Sequence, residues 1–233
     1  MFDGMDGETE IESRLENCSR AAILPVIVVI LLAAALAAGS SHAVAGPFED
    51  AQAAFMRRDY ATQLRIMRPL ADRGDATAQY QLGAAYFLGF GVTKDYARAA
   101  SWYRKAAEQG LSDAQNNLGN MYLDGQGVPQ DYALSLSWLN KAAEQGIPSA
   151  ELALGWIYES GKGVRQDLER SYVWYSLAAL GWSKVPAAFG SFPHGRAIVG
   201  RDKVASKLTP AQIAEADSEV AVLAARLPNP KQP

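Results

Sequence analysis

Few residues of this chain have side chains and spacing suited to covalent or metal chemistry. Cys18 is the one cysteine of the sequence, and after the first 45 residues His194 is the one histidine. A thiolate metal site, or a nucleophile with its base, needs at least two such groups brought together. The Phe-Pro-His-Gly sequence around His194 is typical of a surface turn. The sequence therefore predicts no catalytic residue, no metal site and no cofactor.

Paired glycines are the next candidates, because glycine-rich loops can cradle a phosphate. Gly89 and Gly91 form a Gly-x-Gly pair, which returns as Gly125 with Gly127 and as Gly161 with Gly163. A dinucleotide site needs a strand before the glycines. Here the preceding residues have helical spacing, so the pair is better explained as the end of a helix, where glycine adopts a left-handed conformation at little cost.

These glycines belong to a repeat with a period of 36 residues. The aligned positions include Gly83, Gly119 and Gly155; Tyr86, Tyr122 and Tyr158; Asp95, Asp131 and Asp167; and Trp102, Trp138 and Trp174. A fixed period of this length indicates stacked supersecondary units that bury a continuous core together.

Each unit contains two predicted helices. In the first, helix A, Ala78, Leu82 and Tyr86 follow one another at intervals of four residues, which places them on one helical face. The second, helix B, begins near Asp95, whose carboxylate is expected to cap it. Its inward residues are predicted to be Ala99, Trp102, Tyr103 and Ala106. Gly110 and Gly146 follow helix B, where a left-handed residue can close it.

The glycines in the middle of helix A need a packing reason, because each costs about 1 kcal/mol relative to alanine. We predict that helix B approaches closely at these glycines and places Trp102, Trp138 and Trp174 in the gap. A buried core is the favoured role for these rings. The alternative is a platform for a sugar, which would require exposed rings.

Three stretches carry a family resemblance: LGAAYFLGFGVTKDYARAASWYRKAAEQG (82–110), LGNMYLDGQGVPQDYALSLSWLNKAAEQG (118–146) and LGWIYESGKGVRQDLERSYVWYSLAALG (154–181). They closely resemble the Sel1-like repeat, a relative of the tetratricopeptide repeat. The resemblance covers three units, 75–110, 111–146 and 147–181. It implies an all-α fold, a right-handed α/α superhelix or solenoid, that acts as an adaptor for proteins or peptides.

Both ends of the repeat region are predicted to be capped. Residues 46–74 are similar to a degenerate tetratricopeptide-like repeat, since Tyr60 precedes Tyr96 by 36 residues but no Gly-x-Gly corner is present. Residues 182–227 are predicted to form a loop and two C-terminal capping helices, one near 195–206 and one after Thr209. Thr209, Pro210 and Gln212 fit a capping box with proline at the first helical position. Residues 228–233 are expected to be a tail.

The resemblance also implies where a ligand binds. In tetratricopeptide stacks the A helices line a concave groove, and the positions three before and one after the central glycine point into it. In this sequence those positions are Tyr80, Ala84, Asn116, Asn120, Leu152 and Trp156. Among them Tyr80, Asn116, Asn120 and Trp156 are the candidate partner-binding residues.

The chemistry of this groove restricts its partner. Asn116 and Asn120 are four residues apart and share a helical face, where their amides could bridge the backbone of an extended peptide. No Lys or Arg occurs in 75–88, 111–124 or 147–160, so a clamp for a carboxylate is not expected. With Asp124 and Glu159 as its acids, the groove is predicted to favour a neutral or mildly basic segment.

Residues 1–45 are predicted to be a targeting segment. Residues 21–38 carry no charge, and as a helix they would span about 27 Å, close to the thickness of the hydrocarbon core. The small-residue ending Ala43-Val44-Ala45 favours a signal peptide cleaved after Ala45. A retained membrane anchor at about 21–38 is the alternative, and the six carboxylates of the first 16 residues are atypical of a signal.

Charge and composition set the functional alternatives. After residues 1–45 are set aside, 19 acidic and 20 basic side chains remain, which favours no nucleic-acid partner. The main hypothesis is an exported scaffold without enzymatic activity, periplasmic or secreted, or anchored in the inner membrane with the repeats outside the cytoplasm. The alternatives are a carbohydrate-handling or hydrolytic envelope factor and a membrane-anchored regulator with residues 1–20 as a cytoplasmic tail.

Overall fold

The computed structural model describes residues 46–183 and 192–227. In these ranges the chain forms ten α-helices and no strand, which confirms the all-α prediction. The helices are α1 (Pro47–Met56), α2 (Tyr60–Asp72), α3 (Ala76–Leu88), α4 (Tyr96–Glu108), α5 (Ser112–Asp124), α6 (Tyr132–Ala143), α7 (Pro148–Ser160), α8 (Leu168–Ser183), α9 (Phe192–Ala205) and α10 (Pro210–Arg226). Helices α3, α5 and α7 are the A helices, and α4, α6 and α8 are the B helices.

Some predictions concern residues outside the described ranges. These are the targeting segment 1–45, with Cys18, the span 21–38 and cleavage after Ala45, residues 184–191 of the predicted loop, and the tail 228–233. Among the helices of 46–183 and 192–227, none combines the length and the apolar character needed to cross a bilayer.

The corner between helices A and B repeats from unit to unit. Gly89 ends α3 with a left-handed φ of 79°, as the glycine spacing predicts. The backbone N–H of Asp95 then donates to Tyr86 O over 2.9 Å, and Asp95 Oδ1 accepts from the backbone N–H of Arg98 over 2.9 Å. Asp131 and Asp167 make the same two hydrogen bonds in the following units. The aspartates are therefore helix caps, as predicted.

The second glycine of each corner joins neighbouring units. A Cβ built on Gly127 would lie 2.3 Å from the backbone carbonyl carbon of Tyr96, which begins the preceding B helix. The same close approach brings Gly91 against Tyr60 and Gly163 against Tyr132. Since backbone atoms cannot move aside as a side chain can, this glycine fixes how closely one unit stacks on the next.

The central glycines of the A helices receive a B helix, as predicted, but the prediction that tryptophan fills the gap is wrong. A Cβ on Gly83 or Gly155 would lie 2.6 Å from the ring of Tyr103 or Tyr175, and one on Gly119 would lie 2.8 Å from Leu139. Neighbouring residues of a helix point about 100° apart. When the tyrosine or leucine faces the glycine, the preceding tryptophan turns toward the edge of the core, where Trp102, Trp138 and Trp174 are only partly buried.

Buried glutamines link the first two units in a ladder. Gln109 Nε2 donates to Gln79 Oε1 over 2.8 Å, and Gln79 Nε2 donates to Ala71 O at the end of α2 over 3.1 Å. One unit later, Gln145 donates to Gln115 over 2.8 Å, and Gln115 donates to Ala107 O over 3.1 Å. The corresponding positions of the third unit are Glu151 and Gly181, so the ladder has no third step.

The N-terminal hairpin of α1 and α2 packs on α3. Its corner uses Arg58, which has a left-handed φ of 59°, in place of the missing glycine pair. Asp59 then caps α2 by accepting from the backbone N–H of Thr62 over 3.1 Å. The residues that sequence reasoning assigned to a degenerate repeat therefore form a helical hairpin with a different turn.

The C-terminal helices pack on the last repeat, with α9 on α7 and α8 and with α10 on α8. The predicted capping box is confirmed: the Thr209 side chain accepts from the backbone N–H of Gln212, and Gln212 Oε1 accepts from the backbone N–H of Thr209. His194 lies in the first turn of α9, with Nδ1 3.1 Å from Ala179 O, and not in the predicted surface turn. It therefore takes part in the docking of α9 on α8.

Candidate binding groove

A pocket of about 230 Å³ opens beside the first A helix. Its wall comes from five segments: α1, α2, α3, the corner after α3, and the start of α5. The residues that define its character are Phe55, Tyr80, Leu88, Phe90, Leu111 and Asp113. Two positions expected in the groove, Tyr80 and Ala84, lie in this wall.

One side of the pocket is aromatic. The ring of Phe90, the middle residue of the Gly-x-Gly corner, stacks on Tyr60 with centroids 4.8 Å apart. The ring of Phe55 in α1 completes this aromatic group, with its centroid 6.1 Å from that of Phe90. Gln63 and Gln81 form part of the polar wall, and their side chains lie 3.5 Å apart. The N-terminal hairpin therefore supplies part of the pocket wall as well as covering the end of the stack.

The floor of the pocket contains polar groups in an apolar environment. Burial raises the pKa of the Asp113 carboxyl above its ordinary value. Burial, together with the nearby Asp113 charge, also raises the pKa of the Tyr80 hydroxyl well above its usual range. Beneath them, Tyr103 Oη and Asn117 Nδ2 are buried and have no hydrogen-bond partner among the described residues.

Asn116 and Asn120 lie together on α5, as their spacing predicts. Asn120 Nδ2 donates to the backbone O of Asn116 over 3.0 Å and to its Oδ1 over 3.2 Å. Asn116 is buried and donates in turn to Asn117 Oδ1 over 3.3 Å, whereas Asn120 is half-buried. Asn120 is therefore the more accessible of the two amides, and Asn116 holds it in place.

Trp156 belongs to a different environment from Tyr80 and the asparagines. Trp156 and Leu152 are partly buried against a cluster that includes Val204 of α9 and Val220 of α10. Glu159, expected to be an acid of the groove, pairs with Lys203 Nζ at 2.8 Å and accepts from the Tyr175 hydroxyl over 2.8 Å. At the third repeat the predicted groove positions thus pack against the C-terminal helices.

The tryptophan rings do not form an open platform. Lys105 Nζ lies 4.0 Å from the centroid of Trp102, and Lys141 Nζ lies 4.4 Å from that of Trp138. Lys162 covers Trp156 in the same way at 4.8 Å. A sugar stacking on these faces would have to displace a cation–π contact on each ring.

Sequence reasoning did not identify Phe55, Phe90 or Asp113 as pocket residues. The repeat register did contain a signal, because Asp113 corresponds to Thr77 and Ser149 and is the one ionisable residue among the three. No group of three or more His, Cys, Asp or Glu side chains in the described ranges could hold a metal ion.

The Sel1 repeat family model matches residues 76–111, 112–147 and 148–181. Each matched unit begins within one residue of an A helix. A comparison with curated proteins found no match.

Two solved structures illustrate the similarity. One is c5321, a protective antigen with an SLR fold present in uropathogenic Escherichia coli strains, with a TM-score of 0.61 and 32% identity over 71% of this chain. This chain spans 33% of the length of that protein. The other is a Sel1 repeat protein from Oxalobacter formigenes, with a TM-score of 0.54 and 29% identity over 72% of this chain and 73% of that chain. Residues 76–181 are therefore three Sel1 repeats, and the chain has the fold of Sel1 repeat proteins.

Proposed function

We propose that this protein is an exported scaffold of the cell envelope that binds a peptide segment of a protein partner in its concave groove. Asn120 and the pocket wall that includes Tyr80 form the contact surface, and Asn116 holds Asn120 in place. Trp156 lies at the far end of the same row of A helices. Sel1 repeats are generally protein-interaction modules, which supports the choice of a protein ligand over a small molecule.

The observation that carries this proposal is the pocket beside α3. It lies beside α3 and reaches the start of α5, the helix that carries Asn116 and Asn120, and it combines aromatic walls with a few polar atoms. Such a combination suits a peptide, because side chains can occupy the apolar pocket while the backbone meets amides. The half-buried Asn120 amide supplies the polar partner for that backbone.

The experiment compares two asparagines with similar structural roles. Peptides that bind the full chain are first selected from a displayed random library, and their Kd is then measured by fluorescence polarisation. We expect Asn120→Ala to raise the Kd about fivefold, which corresponds to one lost hydrogen bond. Asn140→Ala is the matched control, because Asn140 Nδ2 makes the same bond to the backbone four residues earlier, at 2.8 Å, on a B helix.

Asn120→Ala and Asn140→Ala should have similar melting temperatures, because each loses one hydrogen bond from a side-chain amide to the backbone four residues earlier. If Asn140→Ala weakens binding as much as Asn120→Ala does, the effect is structural and the groove assignment fails. If the library yields no binder, the proposal of a peptide ligand fails as a whole.

Export is the second part of the proposal, and it is supported by the pattern of residues 1–45. The apolar run followed by Ala43-Val44-Ala45 fits a signal peptide. Cell fractionation followed by N-terminal sequencing tests this directly. A new terminus at Gly46 in the envelope fraction agrees with cleavage, an intact terminus in the membrane fraction favours the anchor, and an intact terminus in the cytosol contradicts export.

A further inference from the structure

Asp113 is a carboxylate without a counter-charge on the wall of the pocket. None of the ion pairs within the described residues includes it, and no side-chain hydrogen bond there reaches it. Its pKa is raised because the surrounding pocket removes water from it. Burial therefore penalises the ionised form of this carboxyl, and a bound cation would offset that penalty.

The other walls favour a long aliphatic stem. Phe55, Leu88, Phe90 and Leu111 contribute apolar surface around the same cavity of about 230 Å³. A lysine or arginine side chain has this construction, with apolar methylenes that lie along hydrophobic surface and a charged end that needs an acceptor. Tyr80 adds an aromatic ring on which a cation can also rest.

No cation of the A helices competes for the acid, because 75–88, 111–124 and 147–160 contain no Lys or Arg. The feature is also confined to one place in the stack. Thr77 and Ser149 occupy the positions equivalent to Asp113 in the other two repeats. The charge therefore marks one pocket and is not a repeated property of the surface.

We propose that this pocket is a specificity site for one basic residue, lysine or arginine, of the partner peptide, whose cation pairs with the Asp113 carboxylate. The inference rests on the proposed peptide-binding function and goes beyond it by naming the residue that the partner must supply. Asp113 then acts as the residue that selects among partners, and Asn120 contributes to affinity for any of them.

The test is a selection from a displayed library of random dodecapeptides against the purified full chain, read by sequencing. We expect Lys or Arg to be enriched about tenfold at one position of the aligned binders, as for a single close charge pair. Asp113→Asn keeps the size of the side chain and should reduce this enrichment to less than about twofold. Asp72→Asn removes an equal charge from the exposed end of α2 and should leave the enrichment unchanged.

A double-mutant cycle then locates the cation. For a selected peptide, replacing the enriched lysine with norleucine and replacing Asp113 with asparagine should each raise the Kd about tenfold, and the two changes together should cost little more than one. Additive effects would place the lysine elsewhere and overturn the inference.

The outcomes separate this inference from the broader proposal. Binders without a basic preference would overturn the role of Asp113 and leave peptide binding intact. A basic preference that survives Asp113→Asn would also overturn it. Failure of the wild-type protein to enrich any peptide would remove the proposed function and this inference together.

Discussion

The first and third repeats place the same residues in the same geometry and use them differently. Tyr103 and Tyr175 occupy equivalent positions, and each ring packs on the central glycine of its A helix. The Tyr175 hydroxyl donates to Glu159, which pairs with Lys203 of α9. The Tyr103 hydroxyl has no hydrogen-bond partner among the described residues and lies under the pocket. The comparison teaches that one repeat unit can either pack against a terminal helix or border an open pocket.

The environment of Tyr175 explains how the C-terminal helices pack on the third repeat. Its ring lies between Gly155 of α7 and Gly200 of α9, since a Cβ on Gly200 would lie 2.7 Å from Tyr175 Cζ. Burial, with the nearby Glu159 charge, raises the pKa of the Tyr175 hydroxyl far above its ordinary value. The hydroxyl therefore stays protonated and donates. Helix α9 thus packs on the third repeat as an additional layer. In the first repeat, a pocket lies beside α3 instead.

The largest loss of stability should come from adding a Cβ at Gly155, which packs against the Tyr175 ring. Gly155→Ala places a Cβ 2.6 Å from a ring that Gly200 confines on its other side, so the ring has little room to move. We expect a loss of about 3 kcal/mol in the free energy of unfolding, at the upper end of the range for overpacking. Tyr103 is also fully buried, but its neighbour Tyr80 borders the pocket and can yield, so Gly83→Ala should cost about 1 kcal/mol. Urea denaturation measures both, and equal losses would contradict a special closure at the third repeat.

Removing the two hydroxyls should give effects of opposite sign. Tyr175→Phe loses a hydrogen bond to a carboxylate and should cost about 1.5 kcal/mol. Tyr103→Phe removes a buried hydroxyl that has no partner and should be neutral or stabilising by up to about 1 kcal/mol. Thermal unfolding of the two variants provides the measurement. A comparable loss for Tyr103→Phe would mean that its hydroxyl is satisfied in solution.

The smallest effect concerns Asp113, and it depends on pH. Because the folded-state pKa of Asp113 is raised above 3.8, its deprotonation favours the unfolded chain. The stability of the protein therefore falls as pH rises through the interval between 3.8 and the raised pKa. Asp113→Asn removes this loss, so the variant should have a higher Tm than wild type at pH 7 and the same Tm near pH 3. A lower Tm at pH 7 would show that the carboxylate supports the fold.

Local sequence signals were sufficient for the repeat helices and their ends, but not for the start of α9, which begins at Phe192 and not near residue 195. Asp95 as a cap, Gly89 as a helix stop and Thr209 with Gln212 as a capping box each involve residues within a few positions of one another. Such contacts depend on backbone torsion and short-range hydrogen bonds, which the sequence determines directly. The 36-residue period then supplied the architecture.

The residues that line the candidate pocket could not all be predicted from local sequence patterns. The rotation of helix B about its own axis decides whether Trp102 or Tyr103 faces Gly83, and both residues are apolar enough for either place. The pocket brings together Phe55, Phe90 and Asp113 from three successive units. The position of α9 against α7 removes Trp156 from an open groove, and no spacing within the repeats indicates that contact.

The glutamine ladder has a consequence for the modularity of the chain. Units one and two carry the same donors and acceptors, Gln79 with Gln109 and Gln115 with Gln145, so exchanging these two units would preserve every rung. Moving the third unit between them would put Glu151 and Gly181 into the ladder, and neither side chain has the amide N–H groups with which glutamine donates. The hydrogen bonds that join one hairpin to the next are therefore shared by the first two repeats, and they end at the third.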